Sequence, residues 1–271
     1  MNERLFRQDQ CDWRRNVSFY RDEASSPFQE KLNEEKRTAY GLDGSRRKIL
    51  DVGAGVGGPA ARMIEEGRVV VALDFVLEMA LAAREKHPNL PYVVASAHRL
   101  PFKDGMFDAV IADGVLHHLK VQGILDDSAV EVARVLREGG RLCSFDRNGS
   151  VMSRLLIIVF VALNKVMRLW RPDYASSATG YERSLNHSDE RLISGAGFVT
   201  IVRRNVSSLP YFLTIVLTNA AGYLAGPRSG AAWRLRFYPA AAWFEDRIGA
   251  RALTVEECVV RERTMRDDKI Q

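Results

Sequence analysis

The strongest constraint on the fold of this 271-residue chain is a glycine loop that directly follows a short apolar run. Lys48–Val52 is short and apolar enough for a buried strand, and it leads into Gly53-Ala54-Gly55-Val56-Gly57-Gly58. Pro59 suits the first position of a helix, and Gly67 suits the position just past its end. Glycine allows positive φ and lets the backbone approach a ligand where a Cβ would collide. The order strand, glycine loop, helix therefore predicts a ligand-binding loop.

Alternation of apolar runs with helical segments continues to residue 146. Nearly all-apolar strands that alternate with helices predict a parallel sheet covered on both faces. Two later strand candidates predict an antiparallel pair that ends the sheet. The fold predicted is α/β, a Rossmann-like doubly wound and mostly parallel sheet with helices on both faces and an apolar helical insertion as a lid. The predicted strands after the first are Arg68–Leu73, Tyr92–Ala95, Phe107–Ala112, Arg141–Phe145, Phe198–Val202 and Leu253–Val260, and the clearest helices are Phe75–Lys86 and Val130–Arg137.

The sequence predicts four parts. Residues 1–47 form an N-terminal helical cap, and 48–149 form the ligand-binding core. Residues 150–187 are an apolar and basic insertion that acts as the lid. Residues 188–271 complete the sheet and carry a second apolar helical insertion at about 209–250. Ser188–Ala196 is predicted to be a helix capped by Ser188. Neither apolar run, Leu155–Leu163 nor Leu209–Gly226, is long and continuous enough to be a good membrane span.

Cysteine, histidine and the N-terminus argue against several protein classes. The three cysteines are far apart without a CxxC pair, and the five histidines lack ligand spacing, so we expect neither a disulfide framework nor a metal site. The first residues form no apolar leader, so no export signal is visible. A cytoplasmic location is expected.

The positive charge lies in the second half of the chain. Residues 151–271 hold 17 Lys and Arg against 11 Asp and Glu. This excess predicts an anionic substrate or a membrane surface, or is simply a solvated basic face. The basic residues are scattered among apolar runs, which argues against nucleic acid. Nothing in the sequence specifies an oligomeric state.

The glycine loop fits two patterns. Gly53-x-Gly55-x-x-Gly58 matches the dinucleotide fingerprint, whereas Asp51-x-Gly53-x-Gly55-x-Gly57 matches a methyltransferase pattern, so the loop alone does not decide. Asp74 ends the second predicted strand. A carboxylate there accepts ribose hydroxyls from either cofactor, or it caps the following helix.

Three further motifs decide between the patterns by resemblance. Residues 95–110 contain Leu100-Pro101-Phe102 and Phe107-Asp108-Ala109-Val110; Gly114–Leu119 follows the fourth strand; and Arg137–Leu142 joins a helix to the fifth strand. In order and spacing, residues 48–146 closely resemble the type 11 branch of class I S-adenosylmethionine-dependent methyltransferases, which includes quinone-biosynthesis enzymes.

The resemblance implies S-adenosylmethionine as the cofactor. The glycine loop would face its methionine part, Asp74 its ribose, and Phe75 its adenine ring. Ser96 and Ala97 would lie at the adenine edge. The implied cofactor-binding residues are Asp51, Gly53, Ala54, Gly55, Gly57, Asp74, Phe75, Ser96, Ala97, Asp113 and Gly114. Ser96 stands where the family commonly has aspartate. We expect this to cost about 1 kcal/mol in cofactor affinity, and Ser96→Asp to change that affinity.

Methyl transfer from an activated sulfonium depends mostly on holding the acceptor in place in a dry site. A general base is needed only when the acceptor loses a proton. His117 and His118 follow the fourth strand and are the candidate bases, although either would also serve as a packing residue. His187 is a more distant candidate.

The apolar insertions and nearby basic residues predict a lipophilic acceptor that is quinone-, polyprenyl- or glycolipid-like and is methylated on oxygen or carbon. They also predict peripheral contact with an anionic membrane surface. Two alternatives stay open. One is a non-catalytic cofactor-binding or membrane-associated accessory protein on the same fold, and the other is an NAD(P)-dependent oxidoreductase.

Overall fold

The computed structural model describes residues 27–42, 44, 48–147, 185–208 and 254–264, with isolated positions at 10, 11, 13, 14, 17, 155, 158, 159, 162 and 166. The helices are α1 (Pro27–Tyr40), α2 (Gly58–Glu65), α3 (Leu77–Lys86), α4 (Leu116–Gln122), α5 (Leu125–Val135) and α6 (His187–Gly195). The strands are β1 (Lys48–Val52), β2 (Val69–Asp74), β3 (Tyr92–Val94), β4 (Phe107–Asp113), β5 (Leu136–Arg147), β6 (Phe198–Ser208) and β7 (Thr254–Arg263).

The seven strands form one sheet in the order β3-β2-β1-β4-β5-β7-β6. Strands β1 to β5 run parallel, and β7 pairs antiparallel with both β5 and β6. The prediction of a mostly parallel sheet that ends in an antiparallel pair is confirmed. The predicted lid and the insertion at 209–250 lie outside the described residues, apart from the isolated helical positions Leu155, Ile158, Val159, Ala162 and Val166. The four-part division of the chain stays a prediction.

Helices cover both faces of the sheet because strand side chains alternate in direction. Leu50 and Val52 of β1 join one buried cluster, which also contains Ile193 of α6. Ile49, the residue before Leu50, joins the other cluster together with Met63 of α2. A strand buried on both sides must be apolar at nearly every position, which explains the continuous apolar runs in the sequence.

The segment before β5 differs from its prediction. The helix predicted over Val130–Arg137 ends at Val135, and the strand predicted from Arg141 begins at Leu136, so the pair Gly139-Gly140 lies inside the strand. The register of β5 against β4 shifts here between Phe107 and Ala109. A Cβ on Gly140 would lie 2.7 Å from the carbonyl oxygen of Arg137, so the irregular pairing needs glycine at this point.

The prediction that Ser188 caps α6 is wrong. The N-cap is Asn186, whose side-chain oxygen accepts hydrogen bonds from the backbone N–H groups of Ser188 and Asp189 at 2.9 and 3.2 Å. The Asp189 carboxylate in turn accepts from the backbone N–H of Asn186 at 2.7 Å. Asparagine and serine are comparably good N-caps, so the sequence did not separate them.

A buried arginine joins α6 to the antiparallel end of the sheet. The Arg261 side chain on β7 is 1% exposed. Its guanidinium donates to Ser144 Oγ at 2.8 Å and to both carboxylate oxygens of Glu190 at 2.8 and 2.9 Å. Such a charge is tolerated in the interior because it is paired and hydrogen-bonded. Among the described helices, none is long and apolar enough to cross a membrane.

Candidate active site

The strand order reverses between β1 and β4, which opens a crevice at the carboxyl ends of these strands. An aspartate lies at this end of four adjacent strands: Asp74 on β2, Asp51 on β1, Asp113 on β4 and Asp146 on β5. Three of the four were predicted as site residues, and the parallel arrangement brings them to one edge of the sheet. Asp146 was not predicted, because no sequence pattern marks this acid after a predicted strand as buried beside His117.

Three glycines shape the loop after β1 in two ways. Gly53, Gly55 and Gly57 all have positive φ, at 71°, 53° and 77°. A Cβ on Gly53 would lie 2.3 Å from Val115, and one on Gly57 would lie 2.4 Å from Leu90. A Cβ on Gly55 would meet nothing within 4 Å. Gly53 and Gly57 therefore let the loop pack closely, whereas Gly55 borders open space that a ligand can fill.

The loop is held against β2 and β3 by hydrogen bonds. The backbone N–H groups of Gly53 and Ala54 both donate to the carbonyl oxygen of Leu73, at 2.7 and 3.0 Å. The Tyr92 hydroxyl donates to the carbonyl oxygen of Gly55 at 2.6 Å. Burial raises the pKa of this phenol, so it stays a donor. The loop geometry is thus fixed by the protein before any ligand enters.

Asp74 links the loop to the start of α3. One carboxylate oxygen accepts from the Gly55 N–H at 3.1 Å and the other from the Val76 N–H at 2.9 Å. The N-cap of α3 is Val76, so Asp74 is not the cap residue itself. Burial raises the pKa of Asp74 to about 6, and the backbone hydrogen bonds oppose that rise. A carboxylate oxygen accepts more than one hydrogen bond, so Asp74 keeps capacity for hydroxyl donors.

The two residues predicted at the adenine edge follow β3. Ser96 Oγ lies 2.7 Å from His98 Nδ1, so this hydroxyl already has a neighbour within the protein. Ala97 is buried in the core cluster beneath the edge. Phe75 is half-buried and packs against a small apolar cluster formed by Val56, Val76, Met79 and Ala82. Their predicted contacts with adenine stay predictions.

A lysine that sequence reasoning missed enters the site from α1. Lys36 is 5% exposed, and its ammonium donates to both carboxylate oxygens of Asp113, at 2.9 and 2.8 Å. The same ammonium lies 3.8 Å from the centroid of the Phe145 ring. In the sequence Lys36 is one of several basic residues in a polar helix. In the structure Ala39 and Tyr40, one helical turn further along, are buried together with Lys36, so this face of the helix is internal.

The charges at the crevice are strongly coupled. Asp51 is buried, and its pKa is raised to about 8, first by loss of solvation and then by repulsion from Asp113 and Asp74. Lys36 is the cation that opposes this rise. Beside Asp113, the backbone at Gly114 has φ of 68°, and a Cβ there would meet nothing within 4 Å. Three acids around one lysine give a cleft that favours a cationic ligand.

The two candidate bases differ in their surroundings. His117 is buried, and its Nδ1 lies 2.7 Å from Asp146 Oδ1. Burial raises the pKa of Asp146 to about 8, and a hydrogen bond from the backbone N–H of His117 opposes that rise. The other oxygen of Asp146 is buried without a hydrogen-bond partner in the described part of the chain. The His118 ring is 4.1 Å from that of His117 and meets Trp13 edge-on at 5.2 Å.

The third histidine candidate, His187, begins α6. Its predicted role stays a prediction. Within the residues that the structure describes, no group of three or more His, Cys, Asp or Glu side chains is placed to hold a metal ion.

Comparison with known proteins gives the family. The model of the family described as "Methyltransferase domain" matches residues 50–144. A demethylmenaquinone methyltransferase of Mycolicibacterium paratuberculosis is 32% identical over 182 residues, which cover 63% of this chain and 75% of that protein. One from Beutenbergia cavernae is 38% identical over 97 residues, 35% of this chain and 38% of that protein. The matches to several curated relatives thus span only about two fifths of their length.

Solved structures share the fold at low identity. A [4+2]-cyclase, SpnF, covers 90% of this chain and 86% of its own, with a TM-score of 0.58 and 19% identity. The geranyl diphosphate C-methyltransferase of Streptomyces coelicolor A3(2) covers 87% and 79%, with a TM-score of 0.57 and 13% identity. At such identities the likeness establishes the fold alone. Together with the sequence relatives, it places this chain in the family of class I S-adenosylmethionine-dependent methyltransferases.

Proposed function

We propose that this chain is an enzyme that transfers a methyl group from S-adenosylmethionine to an oxygen or carbon atom of a small lipophilic acceptor. The observation that carries the proposal is the cluster of Asp51, Asp74 and Asp113 at the edge where the strand order reverses, with Lys36 paired to Asp113. An acidic, largely buried cleft of this kind favours a ligand with net positive charge.

The residues present fit this cofactor. S-adenosylmethionine has a sulfonium and an amino-acid end with one ammonium and one carboxylate, so its net charge is positive. Asp51 and Asp113 supply negative charge for the cationic groups, and Lys36 supplies the opposite charge beside them. The gap at Gly55 gives the ligand room next to the loop backbone. Asp74 retains acceptor capacity for the ribose hydroxyls.

When bound, the cofactor supplies an activated methyl group on sulfur. The chain then has to exclude water and hold the acceptor in line. For an acceptor that must lose a proton, such as a phenol, His117 is the best placed base. Asp146 lies within hydrogen-bond distance of Nδ1 of this ring and so fixes its orientation. When Asp146 is ionised it accepts from Nδ1–H, which leaves Nε2 as the proton acceptor. Because His117 is buried, bulk water competes little with the acceptor for a hydrogen bond to this ring.

The acceptor class rests on two observations. Relatives that match the core are named demethylmenaquinone methyltransferases, which supports a quinone-like acceptor for this chain. In addition, four described apolar side chains beyond β5 are exposed and recur at helical spacing, and such a face suits a lipid surface. They are Leu155, Ile158, Val159 and Val166. We therefore propose a cytoplasmic enzyme that associates peripherally with an anionic membrane.

Calorimetric titration tests the cofactor. S-adenosylhomocysteine is expected to bind and NADH to give no heat of binding; the opposite pattern would end the methyltransferase proposal and favour an oxidoreductase.

Asp74→Ala is expected to weaken S-adenosylhomocysteine binding by about 1–3 kcal/mol. Asp104→Ala, which changes an exposed aspartate, serves as the matched control. Equal affinity in both variants would mean that the ribose is held elsewhere.

Turnover tests the reaction. With S-adenosylmethionine and demethylated quinols, mass spectrometry is expected to detect a product heavier by one methyl group. The fold is shared with a protein named as a cyclase, so cofactor binding without any methylated product from quinols or a lipid extract would favour a non-catalytic or different role.

Sedimentation with anionic vesicles tests the membrane contact. The protein is expected to sediment with the vesicles at low salt, and a smaller fraction of it is expected to do so at high salt. Failure to sediment at either salt concentration would contradict the peripheral location.

A further inference from the structure

The turn that follows β3 carries a hydroxyl and an imidazole that lie next to each other. Ser96 Oγ is 2.7 Å from His98 Nδ1, and both residues are half-buried. A hydroxyl donates one hydrogen bond and accepts two, and each nitrogen of a neutral imidazole donates or accepts according to the tautomer. The pair is therefore satisfied in two ways. Either the Ser96 hydroxyl donates to Nδ1, or Nδ1–H donates to Oγ and leaves the hydroxyl hydrogen for another acceptor.

The backbone that carries this pair is anchored to α5. The Arg99 N–H donates to the carbonyl oxygen of Ser96 at 3.0 Å, which closes the turn. The next residue, Leu100, donates its backbone N–H to the Glu131 carboxylate at 2.7 Å. The Leu100 carbonyl oxygen accepts from the Arg134 guanidinium at 2.9 Å. The hydroxyl and the imidazole thus lie on a turn that the protein fixes before a ligand enters.

The strand order places the pair relative to Asp74. Strand β3 is the edge strand beyond β2, and Val94 lies opposite Asp74 in the register of these two strands. Ser96 follows Val94 by two residues, on the side of Asp74 that faces away from the crevice between β1 and β4. A nucleoside whose ribose is held at Asp74 and whose reacting end lies in the crevice extends its base toward β3. In a purine, N1 and the substituent on C6 lie farthest from the ribose, so this edge approaches the pair.

We propose, on the basis of the proposed function, that Ser96 and His98 form an adaptable contact for the substituent at position 6 of the cofactor's purine. The chain then discriminates weakly between an amino and an oxo group at that position. When the Ser96 hydroxyl donates to Nδ1, its oxygen accepts from a 6-amino group; when Nδ1–H donates to Oγ, the hydroxyl donates to a 6-oxo group. A carboxylate in this place would only accept, and a ligand without a donor would leave its charge unpaired. Oγ keeps His98 as a partner with either ligand.

Calorimetry with three ligands tests the proposal on the full chain. The ligands are S-adenosylhomocysteine, its 6-oxo analogue S-inosylhomocysteine, and the analogue with hydrogen at position 6. Wild type is expected to bind the first two with affinities within about tenfold of each other, because the hydroxyl forms one uncharged hydrogen bond with each. Ser96→Ala is expected to lower the affinity for these two ligands and to leave that for the third unchanged. The proposal is overturned by a larger wild-type preference for the 6-amino ligand, or by wild-type affinity of Ser96→Ala for all three.

Two variants of His98 that differ in one heavy atom test the part played by the imidazole. An asparagine side chain both donates and accepts, whereas an ionised aspartate only accepts. His98→Asn is expected to keep the wild-type ratio of the 6-amino and 6-oxo affinities. In His98→Asp the carboxylate holds the Ser96 hydroxyl hydrogen, so the preference for the 6-amino ligand is expected to rise roughly tenfold. Arg99→Gln, which also lowers the net charge by one at an exposed neighbour, is the control with the wild-type ratio.

The remaining outcomes separate this inference from the proposed function. An unchanged ratio in His98→Asp would overturn the adaptable contact. Should the variants fail to fold, the wild-type comparison of the 6-amino and 6-oxo ligands decides alone. Tight binding of S-adenosylhomocysteine with strong rejection of S-inosylhomocysteine would refute only this inference. If wild type binds none of the three ligands, the proposed function itself is refuted.

Discussion

Buried carboxyl groups dominate the site at the scale of single residues. Asp51, Asp74 and Asp146 all have raised pKa values, and in each the first cause is loss of solvation. Such groups destabilise a folded protein in their charged form. Buried carboxyl groups of this kind cluster at sites where a ligand or a reaction needs the charge. The crevice therefore lowers the stability of the folded protein in favour of its function.

The first prediction concerns Asp51 and the stability of the ligand-free protein. The pKa of Asp51 is about 8 in the folded chain against an ordinary 3.8. Between pH 3.8 and about 8, the folded state therefore keeps a proton on Asp51 that the unfolded state has lost. Its contribution to stability is therefore greatest below pH 4 and falls as pH rises to about 8, by up to roughly 1.4 kcal/mol per pH unit. Asp51→Asn is expected to flatten this slope in urea unfolding between pH 5 and 8. The exposed Asp127→Asn is the control, and an unchanged slope in Asp51→Asn would contradict the assignment.

The second prediction concerns proton release on binding. A ligand ammonium near Asp51 lowers the pKa of this carboxyl below about 8, so S-adenosylmethionine is expected to displace part of a proton at pH 7 and to bind more tightly as pH rises from 6 to 8. Calorimetry in two buffers of different ionisation enthalpy measures the protons released. Asp51→Asn is expected to reduce the number, and a heat that does not depend on the buffer would refute the prediction.

The third prediction concerns His117 as a base. His117→Gln is expected to lower kcat by about 10²- to 10⁴-fold with an acceptor that loses a proton, while the affinity for S-adenosylhomocysteine changes little. Asp146→Asn is expected to act in the same direction through the orientation of the ring. His118→Gln changes the neighbouring ring, which meets Trp13 edge-on, and is the comparison. A larger loss in His118→Gln would reverse the roles of the two histidines.

At the scale of elements, a partly buried network of Arg261, Glu190 and Arg203 joins α6 to the sheet. Glu190 receives two hydrogen bonds from buried Arg261 and pairs with Arg203, whose side chain is 44% exposed. The partly buried pair Lys120–Asp189, at 2.6 Å, ties the same helix to α4. The position of α6 thus depends on polar contacts as well as on Ile193 in the core.

The fourth prediction follows from this network. Glu190→Ala leaves the Arg261 charge buried without its carboxylate, and it is expected to destabilise the protein by about 3–5 kcal/mol. Arg203→Ala removes the exposed end of the same network and is expected to cost less than about 1 kcal/mol. Urea unfolding of both variants measures the difference. Similar small losses would show that Arg261 finds solvent or another partner.

At the scale of the whole molecule, the site is assembled from distant parts of the chain. Lys36 on α1 and Trp13 before it meet the edge that β1, β2, β4 and β5 form. The Arg14–Glu78 ion pair, at 2.9 Å, adds a contact between the N-terminal segment and α3. We therefore expect ligand binding at the crevice to strengthen the contacts that Trp13, Arg14 and Lys36 make with the rest of the structure.

The fifth prediction uses that coupling. Saturation with S-adenosylhomocysteine at 100 times its Kd is expected to stabilise the protein by about 2.7 kcal/mol. Hydrogen exchange is expected to slow in 50–58 and also in 27–42, whereas α5 (Leu125–Val135) changes little. Protection confined to the glycine loop would mean that α1 takes no part in binding.

The sequence by itself determined the α/β core and the kind of cofactor. The apolar runs, Gly53 and Gly55 are local patterns that follow from backbone sterics and side-chain alternation. The cofactor came from the family resemblance that the Leu100-Pro101-Phe102 stretch helps to carry. It also brought Asp51, Asp74 and Asp113 together, because the carboxyl ends of parallel strands meet at one edge. Helix ends were less well predicted, as at Asn186 and Gly140, since several residues satisfy the same terminus.

Only the tertiary structure decided which charges meet across the chain. In the sequence, Lys36 resembles a solvated helix residue and Arg261 resembles part of an ordinary charged strand end. In the structure both side chains are buried and paired with a carboxylate. The same holds for His117, which differs from His118 through its contact with Asp146, 29 positions away. Pairing and loss of solvation depend on three-dimensional distance, which no local pattern encodes.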